Sequence, residues 1–312
     1  MTLIEQLADA GSRAKLNSAP ASKLLHACLR TTEEQGGWVR PHRFTESQMR
    51  TISSAAAWHP GLYRQMAECS AGVFLDFSTD ADEVVLEVSV DPEPSGTASC
   101  LKHVDGSDPR QPHDGVSCDF DGVHLDARLP ERIGEGREAT SIVSFALPEQ
   151  AEGEGGQEAL PGLEAPHRVR IWLPSLRSCA VRKLYCSGKI IEPMPAGDLI
   201  IALGDSITQG FVADDPARCW TALVGAELGC EVLNQGVGGQ VFQIQSLGGM
   251  AAAGSPKHVI IAFGANYRYE ACEAEAVRKD IRRYLAEVSE LWPKVPTWVP
   301  QHSLPPGPPH TP

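Results

Sequence analysis

The stretch Leu199-Ile200-Ile201-Ala202-Leu203-Gly204-Asp205-Ser206-Ile207-Thr208-Gln209-Gly210 decides the fold of this chain. Its apolar first half predicts a buried strand, and the glycines at 204 and 210 predict a turn directly behind that strand. The hydroxyl group of Ser206 would then lie at the edge of a sheet, where it can face a substrate. A serine in that position suits a nucleophile, which also needs a base and oxyanion donors.

Strands and helices alternate in the sequence from residue 196 to residue 300. Apolar segments predict strands at Leu199–Leu203, Glu231–Asn234, Val259–Phe263 and Thr297–Val299. Segments with helical spacing lie between them, at Trp220–Leu228 and Glu273–Leu291. This alternation predicts a parallel sheet that helices cover on both faces, with the active site at the carboxyl ends of the strands.

Polar and glycine-rich segments follow the first three of these strands. Ser206 follows the first, Asn234-Gln235-Gly236-Val237-Gly238-Gly239 the second and Gly264-Ala265-Asn266-Tyr267 the third. All of them should fall at one edge, because the carboxyl ends of parallel strands meet there. Acyl transfer requires a serine and amide donors of this kind, since its tetrahedral intermediate carries an oxyanion.

Taken together, these segments resemble the conserved blocks of the SGNH, or GDSL-like, hydrolase family. The resemblance implies a flavodoxin-like, three-layer parallel α/β fold. It implies that Ser206 is the nucleophile and that Gly239 and Asn266 complete an oxyanion hole with the amide of Ser206. It further implies a serine esterase that passes through an acyl-enzyme without a cofactor or metal. The substrate would be a small acyl ester, such as an acetylated carbohydrate.

Two features depart from the family pattern. Tyr267 stands where the third block usually has an aspartate, although the donor in that block is the asparagine. The family also places a histidine three residues after an aspartate near the carboxyl terminus, and no Asp-x-x-His follows Asn266. Asp280 lies in the middle of a predicted helix and reads as a solvated charge. The candidate base is therefore His302, just past the last predicted strand, while His310 lies further along the same segment.

The sequence before residue 196 has a different character. Segments rich in β-branched and aromatic residues predict strands at Val73–Ser78, Glu83–Val90, Gly122–Arg128, Ser141–Leu147, Arg168–Leu173 and Ala180–Cys186. Short strands without intervening helices predict an all-β sandwich or jelly roll. They also resemble, more weakly, the amino-terminal jelly-roll domain of carbohydrate-esterase-type SGNH proteins. The acidic, glycine-rich segment Pro148–Pro166 predicts a surface loop.

These patterns divide the chain into four parts. Residues 1–70 are predicted as a helical and extended segment that leads into the β-domain, and residues 71–195 as the β-sandwich. Residues 196–300 are predicted as the hydrolase domain, followed by a proline-rich disordered tail at 301–312. We expect that domain to be incomplete at its carboxyl end, as a truncation or frameshift after Val299 would leave it.

Composition excludes several classes of function. The net charge of −13 argues against nucleic acid or an anionic membrane as a partner, because phosphate groups favour lysine and arginine. Met1–Leu16 lacks the apolar core of a signal peptide, and no apolar run is long enough to span a bilayer, so a cytoplasmic protein is predicted. The nine cysteines include no C-x-x-C pair, which favours reduced thiols over a zinc or redox site. The oligomeric state is not predicted.

Other readings stay open beside the esterase. Ser206 could cap a helix, Gly239 could serve a turn, and Asn266 could cap the segment behind it. Asp205 is expected to be a structural hydrogen-bond partner rather than an acid.

Two rival motifs do not match. A dinucleotide-binding fingerprint starting at Gly236 would need glycine where Val241 stands, and the nucleophile elbow Gly-x-Ser-x-Gly would need glycine where Thr208 stands. The alternative function is a catalytically impaired truncated product, or a glycan-binding protein that uses the β-domain. The tryptophans considered for sugar stacking are Trp38, Trp58 and Trp172, although core packing is the more ordinary role.

Overall fold

A computed structural model describes residues 2–54, 62–94, 97, 115–134, 139–148, 166–211, 213–268 and 271–300. Its strands are β1 Asn17–Pro20, β2 Leu25–His26, β3 Arg30–Glu34, β4 Trp38–His42, β5 Phe74–Thr79, β6 Glu83–Val90, β7 Val116–Phe120, β8 Val123–Arg128, β9 Glu131–Ile133, β10 Thr140–Ala146, β11 His167–Trp172, β12 Cys179–Cys186, β13 Glu192–Pro193, β14 Leu199–Gly204, β15 Glu231–Gly236, β16 His258–Ala262 and β17 Thr297–Trp298. Its α-helices are α1 Leu3–Ala8, α2 Ala10–Arg13, α3 Glu46–Ser54, α4 Leu62–Glu68, α5 Ser206–Gln209, α6 Trp220–Leu228 and α7 Ala274–Leu291. Short 3₁₀ turns lie at Ala21–Leu24, Gln35–Gly37, Pro216–Arg218, Ile244–Leu247, Met250–Ala253 and Ala265–Arg268.

Two antiparallel sheets face each other across one apolar core. In the first sheet the strand order is β3-β4-β12-β6-β10-β9, with β1 also paired to β12. In the second sheet the order is β13-β5-β11-β7-β8, with β2 also paired to β5. The core takes alternate side chains from both sheets, such as Val84 and Leu86 of β6 and Leu75 and Phe77 of β5. This alternation explains why the pattern of β6 could be recognised in the sequence.

The β-domain begins earlier in the chain than the predicted boundary at residue 71. Strands β1 to β4, at residues 17–42, belong to the two sheets. Their sequences hide this because they are short and polar: β3 reads Arg-Thr-Thr-Glu-Glu and is largely exposed, as an edge strand can be. Within residues 43–54 and 62–68, Phe44, Tyr63 and Met66 instead pack with Phe211 and Val237, which follow strands of the parallel sheet. The first 70 residues are thus divided between both parts of the molecule.

The parallel sheet has the order β15-β14-β16-β17. Alternate residues of β14 point to opposite faces. Ile201 and Leu203 pack with Tyr284 and Val288 of α7. On the other face, Ile200 and Ala202 pack near α6. Strand β14 thus contributes side chains to two apolar clusters, one on each of its faces.

The second sheet contacts the parallel-sheet domain directly. Phe74 and Trp172 pack with Ala217 and Ala222, so Trp172 is a buried core residue, only 5% exposed. The cysteines in the described residues are free thiols. None of the described helices is both long and apolar enough to cross a bilayer. Of the predicted loop at Pro148–Pro166, the structure describes only Pro148 and Pro166. Trp58 and the predicted tail at 301–312 also lie outside the described residues.

Candidate active site

The ends of three parallel strands form one edge that carries the predicted site residues. Gly204 of β14 lies opposite Gly236 of β15 on one side and Ala262 of β16 on the other. The three strands therefore end at the same level, and Ser206, Gly239 and Asn266 all follow within a few residues. Asn266 is 5% exposed, and its Nδ2 donates a hydrogen bond of 2.8 Å to the carbonyl oxygen of Gln240. The third block is thus attached directly to the residue after Gly239.

The serine turn is held by its own residues. Asp205 caps the short helix α5, and its Oδ1 accepts a hydrogen bond of 3.1 Å from the Ile207 amide. The predicted structural role of this aspartate fits that geometry. Ser206 is partly exposed at the first position of the helix, where an amide has no intrahelical acceptor. Gly210 ends the helix with φ of 114°, a left-handed conformation that favours glycine.

Glycines allow the serine turn to lie directly on the strand ends. A Cβ atom on Gly236 would come within 2.2 Å of the Gln209 amide nitrogen. On Gly204 it would collide with the side chain of Thr208. Because these contacts involve backbone or buried atoms, larger residues would push α5 away from β14 and β15. The glycines at the ends of these strands therefore fix the height of Ser206 above the sheet.

Gln209 connects the serine turn to the loop that contains Gly239. Its side chain is fully buried, and Oε1 accepts a hydrogen bond of 2.8 Å from the amide of Gly238. Its Nε2 donates to the carbonyl oxygen of Ser175 at 3.3 Å. Gly238 directly precedes Gly239, which has φ of 82°. One side chain on the helix that begins with Ser206 thus sets the position of the proposed oxyanion glycine.

Arg43 fixes the same loop from the other side. Its guanidinium group is completely buried and donates to the carbonyl oxygens of Asn234, at 2.7 Å, and Gly236, at 3.0 Å. It also donates to the carbonyl oxygens of Cys69 and Met66. Burial lowers the pKa of Arg43 to about 10, so the group stays charged at neutral pH. Bonds from a buried cation to backbone carbonyls are strong, and they hold the end of β15 rigidly.

The asparagine of the third block is supported by the residue that departs from the family pattern. The hydroxyl oxygen of Tyr267 accepts a hydrogen bond of 3.2 Å from the amide of Phe242. Burial raises the pKa of this phenol, so it remains neutral. Tyr267 therefore links the third block to the loop that follows Gly239, and the aspartate of the family pattern is not needed for that link.

Several polar atoms at this edge have no protein partner within the described residues. The buried side-chain oxygens in this group are Oγ1 of Thr208 and Oε1 of Gln240. The amide groups of Ser206 and Gly239 likewise donate to no described acceptor. Donors that the fold leaves unpaired are what an oxyanion hole needs, because they must be available to the substrate.

The structure brings together the serine and the two proposed oxyanion residues but not a histidine. No histidine in the described residues is hydrogen-bonded to Ser206. His26 and His258 lie at the opposite end of the parallel sheet, His26 through its 2.8 Å contact with Glu231. His42 lies on β4, and His124 and His167 lie in or beside the second sheet. Asp280 is exposed on α7, as expected for a solvated charge. The predicted base, His302, lies outside the described residues.

Sequence reasoning overlooked Gln209 and Arg43. Gln209 stands inside the motif, three residues after the serine, so its helical spacing could have placed it on the buried side of α5. Arg43 offers no such signal, because a single arginine in a polar segment is usually exposed.

Comparison with known proteins agrees with this geometry. Residues 202–312 match the model of the GDSL-like Lipase/Acylhydrolase family. A search of curated proteins gave no match. Among solved structures, the chain is similar to a salicylyl-acyltransferase from a tetracycline biosynthetic pathway, with a TM-score of 0.65 and 16% identity over 90% of this chain and 71% of that chain.

Two carbohydrate esterases are similar as well. The family two carbohydrate esterase from Cellvibrio japonicus has a TM-score of 0.53 and 14% identity, covering 93% of this chain and 80% of that one. An acetyl xylan esterase from the rumen bacterium Butyrivibrio proteoclasticus has a TM-score of 0.51 and 12% identity, covering 91% and 80%. At these identities the likeness shows the fold, including the β-rich domain before the parallel sheet. Over residues 202–312, the family match bears out the resemblance seen in the motifs.

Proposed function

We propose that the chain hydrolyses a small acyl ester with Ser206 as the nucleophile. The observation that carries this proposal is the common edge of the parallel sheet, where Gln209 joins the serine turn to the loop of Gly239. Asn266 is joined to the same loop through Gln240. The three groups that acyl transfer requires are therefore fixed relative to one another before any substrate binds, which is the condition for electrostatic catalysis.

The reaction would proceed in two steps. Ser206 Oγ attacks the ester carbonyl carbon and gives its proton to a base, and the carbonyl oxygen becomes an oxyanion. The amides of Ser206 and Gly239 and Nδ2 of Asn266 would donate to that oxygen. Collapse of the intermediate releases the alcohol with a proton and leaves an acyl group on the serine. Water then attacks the acyl-enzyme and returns Ser206 with a carboxylic acid as the product.

The proposed substrate is an acetylated carbohydrate. Two of the similar structures are carbohydrate esterases, one of them an acetyl xylan esterase.

The base of the proposal is His302, which comes four residues after the end of β17 in the sequence. His302 and His310 form a matched pair, since both belong to the same proline-rich segment. Replacing His302 with glutamine should lower kcat by roughly 10²- to 10⁴-fold, the contribution typical of a general base. Replacing His310 with glutamine should leave kcat unchanged. Equal rates for both variants and the wild type would remove His302 from the mechanism.

Hydrolysis of p-nitrophenyl acetate tests the function as a whole. Wild-type protein should exceed the spontaneous rate, and Ser206→Ala should lose that excess. Acetylated xylan, assayed by acetate release, then tests the carbohydrate. If wild type and Ser206→Ala hydrolyse p-nitrophenyl acetate at the same rate, the esterase proposal is wrong for this chain. The impaired or glycan-binding alternative would then hold.

Three finer predictions belong to the same proposal. They are the flavodoxin-like, three-layer form of the parallel-sheet domain, the jelly-roll connection of the two antiparallel sheets, and domain limits near residues 196 and 300. An incomplete carboxyl end is tested by reading the gene beyond codon 312. An Asp-x-x-His in another frame supports a frameshift, and its absence in every frame contradicts it. A cytoplasmic location also stays a prediction.

A further inference from the structure

A β-bulge distinguishes the outer face of the first sheet, which is turned away from the shared core. Val181 of β12 pairs with Val88 of β6, and Leu184 pairs with Leu86, so the register shifts between them. Arg182 and Lys183 therefore both lie opposite the single residue Glu87. A bulge redirects side chains, and bulges are common beside binding sites. Here it places two cationic residues side by side on one face.

Glu87 is the anchor of this arrangement. Its side chain is 1% exposed and accepts hydrogen bonds from Nε of Arg182 at 2.6 Å and from Nη2 of Arg182 at 2.8 Å. Arg13, at the end of α2, also donates to Glu87, and Tyr185 lies beside both. A buried carboxylate between two arginines is neutralised and holds both guanidinium groups in fixed positions. The arginines are thus pre-organised rather than free to move.

These groups line a cavity of about 810 Å³ that is separate from the edge carrying Ser206. Trp38 forms one wall, with the guanidinium carbon of Arg182 4.8 Å from the centre of its ring. Ser89, Thr140 and Ser141, which carry hydroxyl groups, are also among the lining residues. Of the described residues that line the cavity, three are cationic and one is a carboxylate. This is a local excess of two positive charges on a chain whose net charge is −13.

We propose that this cavity binds an anionic saccharide, a sugar that carries a carboxylate group. The fixed arginines and Lys183 would attract the carboxylate, the hydroxyl-bearing side chains would exchange hydrogen bonds with sugar hydroxyls, and the indole of Trp38 offers an apolar face to a sugar ring. A small inorganic anion would leave the aromatic wall and most of the volume unused. The site is independent of the hydrolytic reaction, because it lies on the outer face of the β-domain.

Calorimetric titration with trigalacturonate tests the proposal, with the carboxyl-reduced trisaccharide as the matched neutral ligand. The full chain should bind trigalacturonate at 50 mM salt and bind the reduced sugar at least tenfold more weakly. Binding should weaken at 500 mM salt, since partly exposed charges are screened. Lys183→Gln should lower the affinity about fivefold, and Trp38→Ala should lower it further. Lys189→Gln, an exposed lysine outside the cavity, should bind as the wild type does.

The choice of variants keeps the test decisive. Arg182 is left in place because its loss would strand the buried Glu87 and could unfold the sheet. Trp38→Phe, which retains an aromatic face, should recover part of the affinity that Trp38→Ala loses. Ser206→Ala should bind as the wild type does, so this result does not depend on the esterase. Absence of binding, equal affinity for the neutral sugar, or equal losses for Lys183→Gln and Lys189→Gln would overturn the proposal.

Discussion

Replacement of Gln209 by leucine tests whether one buried side chain positions the oxyanion loop. Leucine has a similar volume but can neither accept from the Gly238 amide nor donate to the Ser175 carbonyl. A buried amide left without an acceptor costs about 1–3 kcal/mol, and a lost neutral hydrogen bond costs about 1 kcal/mol more. Urea denaturation should therefore show a loss of about 2–4 kcal/mol in the free energy of unfolding.

The loss of kcat in Gln209→Leu should be larger than the smaller fraction of folded protein can explain. Without its acceptor, Gly238 is free to shift, and Gly239 shifts with it. A misplacement of about 1 Å at a reacting centre can cost about 10²-fold in rate. We expect p-nitrophenyl acetate hydrolysis to lose about 10²-fold in kcat with KM nearly unchanged, because an oxyanion donor acts mainly in the transition state.

Two further variants separate positioning from general destabilisation. Val288→Ala removes buried apolar volume on α7 without changing the hydrogen bonds of Gln209, and it should lower stability while kcat per folded molecule stays normal. Gln209→Glu keeps one oxygen that can accept from the Gly238 amide. Its second oxygen lies against the carbonyl oxygen of Ser175 and can donate to it only when the carboxyl group is protonated. Burial raises the pKa of such a carboxyl, so activity should be retained at low pH and fall as pH rises. Normal kcat in Gln209→Leu, or an equal kcat loss in Val288→Ala, would refute the reasoning.

Three other substitutions test the site and the fold around it. Asn266→Ala should lower kcat by about 10²- to 10³-fold with little change in KM, the loss expected for one oxyanion donor, and unchanged kcat would remove Asn266 from the hole. Arg43→Met leaves four carbonyl oxygens without their donor and should cost about 3 kcal/mol in urea denaturation, whereas the exposed Arg50→Met should cost nearly nothing. Burial lowers the pKa of His42 from 6.5 to about 4. Between these two pH values, His42 is protonated in the unfolded chain but stays neutral in the folded protein. Stability should therefore fall as pH drops through this window, and His42→Gln, which can still pair with Thr32, should reduce that slope in urea denaturation at pH 7 and pH 5.

Local pattern predicted the parallel sheet well because each of its first three strands is an apolar run that ends in glycine or a polar turn. The observed limits of β14 and α6 lie within one residue of those predicted. The same signal placed Ser206 and Asn266 at one edge, since parallel strands align their ends. Strands β1 and β3 escaped prediction because edge strands can be polar and carry proline, as at Pro20. Strand β4, between β3 and β12, escaped because Pro41 interrupts its short sequence.

Long-range contacts were beyond the reach of pattern. Arg43 lies 191 and 193 residues from two of the carbonyl groups that it binds, those of Asn234 and Gly236, and nothing in its neighbourhood marks it as buried. The bulge opposite Glu87 is equally invisible, because one extra residue in a strand does not disturb an otherwise alternating sequence. Trp38 was considered for sugar stacking on residue type alone, and only the fold shows that it forms the wall of a cationic cavity.

Covalent labelling with a fluorophosphonate tests the central claim most directly, because the reagent captures an activated serine held beside an oxyanion hole. Intact protein that hydrolyses p-nitrophenyl acetate is treated with the reagent and digested, and its peptides are analysed by mass spectrometry. We expect a single phosphonyl adduct on Ser206, loss of hydrolysis in step with labelling, and no adduct in Ser206→Ala. An active protein that is labelled at another residue, or that keeps its activity when Ser206 is fully modified, would contradict the account.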